Sequence, residues 1–540
     1  MAEASIAETV VEYLSSRNVR HIFGVLAHTS FALGDAIAKR PDLRFIQAQH
    51  EGGAGNMALG YARATRKPAV CLVSAGGGAT NIVTAVAQAH KESVPLFVIS
   101  SDIGTASSAK GAWSSWHGME HVRLFQPITK QSVKLERAEE LGLVLDSLFC
   151  QTVRGRQGPV FLCIPADLQS ANLPEPLTFS KTADPVGPSI DSRSAEMAVD
   201  LLLKATAPVI LVGTGVDWSG AQKEVQELAE LLSVPVATSY TAKGVFRDNH
   251  PLAVGCLGAG GRPYARKFFL ESDLILALGT TFSEGTTLGF GHRVIPAQAK
   301  IIQIDIDPEE LGRNYPTHLS MQADVKTALR AIIDRIKSQG HRAGTDSRRV
   351  QEIRNAKQAW QSDQGTANPG MTKDFVLKTL NKMLTGKEIF ITAGMTGDLL
   401  RNIDASSAVI HAGEFRAIGT ALATSLGVKL GRPEARVVCV TGDGSFMMEQ
   451  QELATARLHN IPVLVIVLRN NAYGGMKRDQ VEHYGGRVIG TDLFVPDLAR
   501  LAELFGAQGL TITRPEEIEA VLQKPLASDD FVVVDVKLDE

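Results

Sequence analysis

The chain has 540 residues, of which 44% are hydrophobic and 21% are charged, and its formal net charge is -3 at pH 7. A chain of this length is too long to fold around one hydrophobic core, so about three domains are predicted. The small net charge provides no basic surface that would attract nucleic acid. No apolar run is long enough to span a membrane, and the five cysteines form no CxxC pair and no evenly spaced ladder, which excludes the usual signatures of zinc and disulfide frameworks.

The amino-terminal segment Met1–Arg20 is acidic and amphipathic and lacks the apolar core of a signal peptide, so a cytoplasmic protein is expected. A predicted strand from Arg44 to Ala48 is followed by His50-Glu51-Gly-Gly-Ala. From the residues alone, this motif is typical of a helix start with an acid in its first turn.

One pattern of strand, glycine turn, helix and strand occurs twice. An apolar run beginning at Ala69 leads into glycines and a helical stretch, and a second run begins at Val94. The runs beginning at Val437 and Ile461 repeat this order, and the cysteine-to-proline spacing is 24 residues in the first copy and 23 in the second (Cys71 to Pro95, Cys439 to Pro462). The pattern predicts one βαβ unit used twice, although chance similarity of two such units stays open.

Two polar stretches without periodicity, Pro174–Ser194 and Ser338–Arg349, are interpreted as linkers. Strands and helices alternate elsewhere, so we predict an α/β protein of three doubly wound parallel-sheet domains, at residues 1–178, 190–340 and 360–540. In the middle segment, Gly213-Thr-Gly after a strand is a weak nucleotide signal and is more often a tight turn.

The strongest motif is Gly442-Asp443-Gly444-Ser445, followed after a helix and a strand by residues 470–474, Asn-Asn-Ala-Tyr-Gly. Asp443 ends a strand at the carboxyl edge of a parallel sheet, where open α/β folds bind ligands, and the next helix start favours phosphate. Carboxylate, amide and backbone oxygens suit Mg²⁺ better than zinc.

With these two motifs the sequence resembles the thiamine diphosphate enzymes, whose signature is GDG, about two dozen residues, then NN. Along its whole length it resembles the branch of acetolactate synthase and benzaldehyde lyase, which implies pyrimidine-binding, middle and diphosphate-binding domains in that order. The metal ligands implied are Asp443, Asn470 and the carbonyl of Ala472. Because Arg469 stands where the first Asn is usual, Asn471 stays an alternative.

The resemblance also implies which residues hold the cofactor and act in catalysis. Glu51 would hydrogen-bond N1′ of the aminopyrimidine, His28 would face the substrate, and His117 stands near the place of a glutamine common in carboligases. A histidine that only packs its loop is the alternative for His28. The implied cofactor-binding residues are Glu51, Thr396, Ile418, Gly442, Asp443, Gly444, Ser445, Asn470, Tyr473 and Gly474.

The function implied is a thiamine diphosphate- and Mg²⁺-dependent carboligase or lyase that forms or cleaves the C–C bond next to a carbonyl in 2-oxo acids or 2-hydroxy ketones. A 2-oxo acid decarboxylase, a 2-hydroxyacyl-CoA lyase, a C–C hydrolase of a cyclic diketone, a catalytically inactive relative and a nucleotide-dependent oxidoreductase stay open. Bound flavin is not expected, because the stretch 281–287 lacks the arginine and acid pattern that holds it. The partners expected are a small carbonyl substrate and a second copy of the chain, in a homodimer or homotetramer with the cofactor at the subunit interface.

Overall fold

In a computed structural model of the chain, the residues described are 4–173, 177, 179, 187–341, 347–363, 370–404 and 408–539. They belong to two compact units. The first comprises residues 1–185, 415–511 and 528–536, and the second comprises residues 186–414, 512–527 and 537–540.

The first sheet is parallel and six-stranded. Its strands are β1 His21–Gly24, β2 Arg44–Gln47, β3 Ala69–Val73, β4 Leu96–Asp102, β5 Gln131–Lys134 and β6 Val160–Pro165, in the order β2-β1-β3-β4-β6-β5. The accompanying helices are α1 Ile6–Ser16, α2 Phe31–Ala38, α3 Glu51–Thr65, α4 Gly77–Asn81, α5 Val83–Lys91, α6 Thr105–Ser108, α7 His121–Phe125, α8 Leu141–Val153 and α9 Ala166–Gln169. Strands β3, β4 and β6 are buried along their whole length, which explains their continuous apolar runs.

The middle sheet contains β7 Pro208–Val212, β8 Val236–Thr238, β9 Ala253–Cys256, β10 Leu274–Leu278, β11 Lys300–Asp305 and β12 Leu319–Gln322, in the order β12-β11-β10-β7-β8-β9. Its helices are α10 Ser192–Lys204, α11 Thr214–Ser219, α12 Gln222–Leu232, α13 Pro263–Leu270, α14 Glu284–Thr287, α15 Val325–Ser338 and α16 Ser347–Asp363. Read from β9, this is the strand order of doubly wound dinucleotide folds. Here Gly213 and Gly215 pack directly against Gly279, so the weak glycine signal marks a close backbone contact.

The third sheet repeats the topology of the first. Its strands are β13 Glu388–Ala393, β14 Ala408–His411, β15 Arg436–Gly442, β16 Leu464–Arg469, β17 Gln508–Ile512 and β18 Val532–Lys537, in the order β14-β13-β15-β16-β18-β17. The helices are α17 Lys373–Met383, α18 Thr396–Asn402, α19 Ala421–Gly431, α20 Asp443–Met447, α21 Glu452–His459, α22 Gly474–His483, α23 Leu498–Leu504 and α24 Ile518–Ala527. The same strand permutation in both sheets confirms that the predicted βαβ unit occurs twice.

Within the first unit, helices α3 and α19 pack at very close range. A Cβ on Gly60 would overlap the carbonyl oxygen of Thr424, and a Cβ on Gly427 would overlap that of Met57. Glycine at both positions therefore lets the two helix backbones meet.

The predicted linkers are partly outside the described residues, which omit 174–176, 178, 180–186 and 342–346. Helix α10 begins at Ser192 behind its N-cap Asp191, so the first linker ends earlier than Ser194. The second linker begins at the last residue of α15 and ends inside α16. In the ranges that are described, no helix is both long and apolar enough to cross a bilayer.

All five cysteines are free thiols, and four of them, all except Cys150, are buried. Burial raises the pKa of the Cys71 and Cys439 thiols, so both stay protonated. Both side chains therefore act as small buried apolar groups.

Candidate active site

Asp443 follows β15 directly and its side chain is buried. Its Oδ2 accepts backbone N–H bonds from Asn470 at 3.1 Å and Asn471 at 2.6 Å, and its Oδ1 accepts one from Gly444 at 2.8 Å. Burial raises the pKa of Asp443, and the three N–H bonds oppose this by favouring the ionised form. The carboxylate is thereby held between the ends of two neighbouring strands, β15 and β16.

The glycine turn after Asp443 is close to two other parts of the first unit. A Cβ on Gly444 would lie 2.6 Å from the Tyr473 ring, so the ring closes over the bare backbone. Ser445 Oγ accepts the N–H of Gly419 at 2.9 Å, which ties the segment before α19 to the turn. Ile418, next to Gly419, is 39% exposed.

The two asparagines after β16 have different surroundings. Asn471 has a left-handed backbone, with φ 54°, and its Oδ1 accepts from Arg469 Nε at 2.9 Å. The Asn470 side chain lies over Gly474, where a Cβ would overlap its amide nitrogen. The buried Ala472 forms an isolated antiparallel bridge with Asp492.

Arg469 has a structural role at the position where the family signature has its first asparagine. Its guanidinium pairs with Asp535 on β18 at 3.0 Å and donates to the carbonyl oxygens of Val495 and Pro496. The arginine therefore joins two strands and the segment before α23 in place of an amide side chain.

Glu51 is the first residue of α3, and 9% of its surface is exposed. Its Oε2 accepts from Asn81 Nδ2 at 2.9 Å. A Cβ on Gly78 would lie 3.1 Å from Glu51 Oε1, so the glycine loop passes closely over the carboxyl group. The buried acid thus faces the loop between β3 and α5.

A residue of the third domain holds the chain just before Glu51. Glu452, at the start of α21, accepts backbone N–H bonds from Gln49 at 3.2 Å and His50 at 3.1 Å, and the Thr455 hydroxyl donates to it at 2.7 Å. Sequence reasoning missed both Glu452 and Asn81 as neighbours of Glu51. Asn81 closes the glycine-rich loop and could have been found there, whereas nothing in the local sequence around Glu452 indicates its contact.

The two predicted catalytic histidines lie in exposed loops of the first domain. His28 opens a 3-10 turn whose Thr29 hydroxyl lies 2.7 Å from Ser101 Oγ, and Ser101 Oγ accepts the N–H of Ala75 at 3.0 Å. The Cα of His117 would lie 2.9 Å from a Cβ on Gly76. Both loops therefore border the same glycine turn as Glu51.

Thr396 is placed separately, in the second compact unit. It is buried, begins α18 and follows Gly394, whose φ is 79°. A helix start behind a glycine turn suits a phosphate contact.

The residues present fit thiamine diphosphate with a divalent cation. Three backbone N–H bonds leave lone pairs on the Asp443 carboxylate, whose oxygens are hard donors of the kind that a divalent cation takes. Gly444 leaves its backbone bare beside these oxygens. Glu51 adds a buried acid that already engages a hydrogen-bond donor.

Three consecutive parts of the chain match models of thiamine pyrophosphate enzymes. Residues 4–123 match the N-terminal TPP binding domain, 195–332 the central domain and 393–536 the C-terminal TPP binding domain. These ranges follow the three sheets in order.

Curated relatives span essentially the whole chain. The acetolactate synthase large subunit of Haemophilus influenzae is 31% identical over 100% of this chain and 95% of its own length. Acetolactate synthase isozyme 3 large subunit of Escherichia coli is 31% identical over 100% and 96%, and a probable acetolactate synthase large subunit of Methanococcus aeolicus is 29% identical over 99% and 92%. With its three matching domains and these full-length relatives, the chain belongs to the thiamine diphosphate-dependent enzyme family and is similar to the acetolactate synthases.

Proposed function

We propose that this enzyme uses thiamine diphosphate and Mg²⁺ to form or cleave the C–C bond next to a carbonyl in 2-oxo acids or 2-hydroxy ketones. The observation that carries the proposal is the pair of buried carboxyl groups at strand ends, Glu51 bonded by Asn81 and Asp443 held by three backbone N–H groups. An inactive relative would have no chemical need for either group.

The bound cofactor would supply a carbon acid that adds to carbonyls, while the protein binds, orients and exchanges protons. Glu51 would hold the aminopyrimidine and share a proton with it. We propose that the diphosphate would be held by five residues of the GDG turn and the segment after β16, Gly442, Gly444, Ser445, Tyr473 and Gly474. Thr396 would be a further phosphate contact, and Ile418 would support the cofactor through apolar contact.

For the cation we propose Asp443, Asn470 and the carbonyl oxygen of Ala472 as ligands. The engagement of Asn471 Oδ1 by Arg469 supports Asn470 over Asn471. Oxygen ligands of this kind favour Mg²⁺. The proposed cofactor-binding residues include no arginine or lysine, so a bound cation would neutralise the negative charge of the diphosphate.

His28 and His117 are proposed as proton carriers for the substrate. Their exposure and their position beside the glycine turn near Glu51 support this assignment. An imidazole changes its charge near neutral pH and can exchange a proton with a carbonyl oxygen.

The direction of the reaction is proposed from the relatives, which are named acetolactate synthases. That name implies a 2-oxo acid that loses carbon dioxide and a second carbonyl that accepts the remaining fragment. We propose the same carboligase direction here, with two chains sharing each cofactor.

The test is to purify the enzyme, release its cofactor by mild unfolding and identify it, and then to screen 2-oxo acids singly and in pairs with product identification. Thiamine diphosphate, metal-dependent activity and a hydroxy-ketone product are expected. Chelation by EDTA should abolish activity and Mg²⁺ should restore it. A released nucleotide, or no thiamine diphosphate after reconstitution, would contradict the proposal.

A further inference from the structure

A buried polar cluster lies at the carboxyl end of the first sheet and has no part in the proposed chemistry. Asp102 ends β4, Lys134 ends β5, and His121 is the first residue of α7. Asp102 and His121 are 4% and 2% exposed. Buried polar groups of this kind are costly unless they are paired, so their contacts indicate what they do.

The hydrogen bonds of His121 determine which ring nitrogen carries its proton. The buried N–H of Gly76 donates to Nε2 at 2.8 Å, so Nε2 bears the lone pair. The proton of the neutral ring is then on Nδ1, which lies 3.3 Å from Asp102 Oδ1. Lys134 Nζ lies 2.9 Å from the other oxygen of Asp102. A chain of contacts thus runs from Lys134 through Asp102 and His121 to Gly76.

Asp102 stays ionised in this chain. Burial alone would raise the pKa of its carboxyl group, but the close approach of His121 and Lys134 to its two oxygens outweighs burial and holds the pKa below its ordinary value. An ionised Asp102 fixes the Nδ1–H form of His121 and so keeps Nε2 as the acceptor for Gly76.

A metal ion is the other interpretation, because Asp102, His121 and Cys163 each offer a ligand atom and these atoms lie within 4.8 Å of one another. The contacts oppose it. Gly76 occupies the Nε2 lone pair, Lys134 already neutralises Asp102, and burial raises the pKa of the Cys163 thiol well above its ordinary value. A ligand set for zinc would need a thiolate and an open imidazole nitrogen.

The Gly76 turn is connected to Glu51 by a single helical turn. Gly76 has φ 67° and is the N-cap of α4, and its carbonyl accepts the N–H of Thr80 at 3.0 Å. The same short helix ends at Asn81, whose Nδ2 donates to Glu51 Oε2. The backbone position of Gly76 therefore determines where the Asn81 amide meets Glu51.

We propose that Asp102 and His121 are positioning residues that hold the Gly76 turn and thereby set the hydrogen bond from Asn81 to Glu51. The effect on catalysis rests on the proposed function of Glu51, whereas the effect on the turn does not. A change at His121 should alter Glu51 although the two side chains are separated by the whole of α4.

The experiment compares His121→Ala, His121→Gln and Asp102→Asn in the full chain. Glutamine can accept from Gly76 through Oε1 and donate to Asp102 through Nε2, so it is the conservative replacement. His21→Ala is the matched control, because His21 is a partly buried histidine of the same domain at the start of β1. Loss of the His21 side chain should lower the stability of the domain without changing the Gly76 turn.

Two measurements are made on each variant. Backbone deuterium exchange in the peptide 74–82, followed by mass spectrometry without added cofactor, reports on the turn. Exchange of the C2 proton of added thiamine diphosphate reports on Glu51. For His121→Ala we expect backbone exchange about tenfold faster and C2 exchange about tenfold slower, the factor for one lost buried hydrogen bond. His121→Gln should restore most of both, Asp102→Asn should fall between them, and His21→Ala should change neither.

Unchanged protection of the turn in His121→Ala would overturn the proposal, and so would a loosened turn with undiminished C2 exchange. One zinc ion per purified chain, lost in His121→Ala and in Cys163→Ala, would replace it with a metal site. If wild-type protein fails to bind thiamine diphosphate, the proposed function fails, while the backbone exchange still decides whether His121 holds the turn.

Discussion

Glu51 and Asp443 are both buried carboxylates, yet they are held in different ways. Asp443 takes three backbone N–H bonds, which favour a fixed negative charge. In the described part of the chain, Glu51 accepts one hydrogen bond, from the side chain of Asn81. A fixed anion suits a cation ligand, and an acid with a single adaptable partner suits proton exchange.

Glu51→Gln should keep the fold and bind thiamine diphosphate but lose proton exchange at C2. Because the Glu51 carboxyl group alone is proposed to share the proton, the rate of C2 exchange should fall by several orders of magnitude. This fall corresponds to an increase in activation free energy on the order of 4 kcal/mol or more. Deuterium exchange at C2 measures it, with thermal unfolding as the control for folding. Wild-type exchange rates in the variant would remove Glu51 from this role.

Asn470→Ala should weaken the apparent affinity for Mg²⁺ by at least about tenfold, because it removes a proposed ligand. Asn471→Gly is the matched control, since glycine keeps the left-handed backbone and only the contact with Arg469 is lost. Titrations of activity against Mg²⁺ at saturating thiamine diphosphate compare the two. If Asn471→Gly lost more Mg²⁺ affinity than Asn470→Ala, the proposed ligand would be Asn471 instead of Asn470.

At the scale of elements, the contact between α3 and α19 joins the first domain to the later part of the third. The helices meet at Gly60 and Gly427, and Glu452 on α21 binds the backbone just before α3. The helix that begins with Glu51 is therefore fixed along its length and at its start.

Gly427→Ala should destabilise the first unit by about 1–3 kcal/mol, because its Cβ overlaps the carbonyl oxygen of Met57 and the helices must separate. Gly475→Ala on α22 is the matched control. Among the described residues, no heavy atom beyond its chain neighbours and its own helix backbone lies within 4 Å of the added Cβ. The better helix propensity of alanine should therefore leave stability equal or higher. Denaturant unfolding of both variants is the measurement, and equal stabilities would contradict the close packing of α3 on α19.

The start of α19 also gives a pH dependence. Glu449 accepts backbone N–H bonds from Leu422 and Ala423, yet burial outweighs these bonds and raises its pKa to about 8. In the unfolded chain its pKa is near 4.3. Between the two values the unfolded chain releases the proton and the folded chain keeps it, so stability is full below the lower value and falls as pH rises towards 8.

Glu449→Gln should remove this part of the pH dependence, at most about 1.4 kcal/mol per pH unit. The free energy of unfolding of wild type minus that of the variant should therefore decrease from pH 6 to pH 8. Denaturant titrations at both values measure the difference. A difference that stays constant with pH would show that Glu449 is ionised in the folded protein throughout this range.

At the scale of the whole molecule, the proposed cofactor contacts are divided between domains. Glu51 is in the first domain, and Asp443 with Asn470 is in the third, each at the carboxyl end of strands in its own sheet. We proposed that two chains share each cofactor, and a two-fold pair would then contain two equivalent sites.

Mixing inactive Glu51→Gln chains with inactive Asp443→Ala chains tests the sharing. A heterodimer would combine one intact Glu51 with one intact Asp443 in a single site, so activity should return, up to about half of wild type per dimer. Subunit exchange is verified independently with tagged chains. A mixture that stays inactive after exchange, or an active monomer in light scattering, would contradict the proposal.

The α/β class, the repeated βαβ unit, the start of α3 at Glu51 and the strand end at Asp443 followed from the sequence. They depend on apolar periodicity and turn residues among neighbours along the chain. The side-chain partners required the tertiary structure. Glu452 accepts the N–H of His50, which is 402 residues away in the sequence. Arg469 donates to the Asn471 side chain, and the backbone of Asn471 is left-handed. Local sequence patterns do not predict which distant groups the sheets and helices bring together. Those distant groups determine the hydrogen bonds of each carboxyl group.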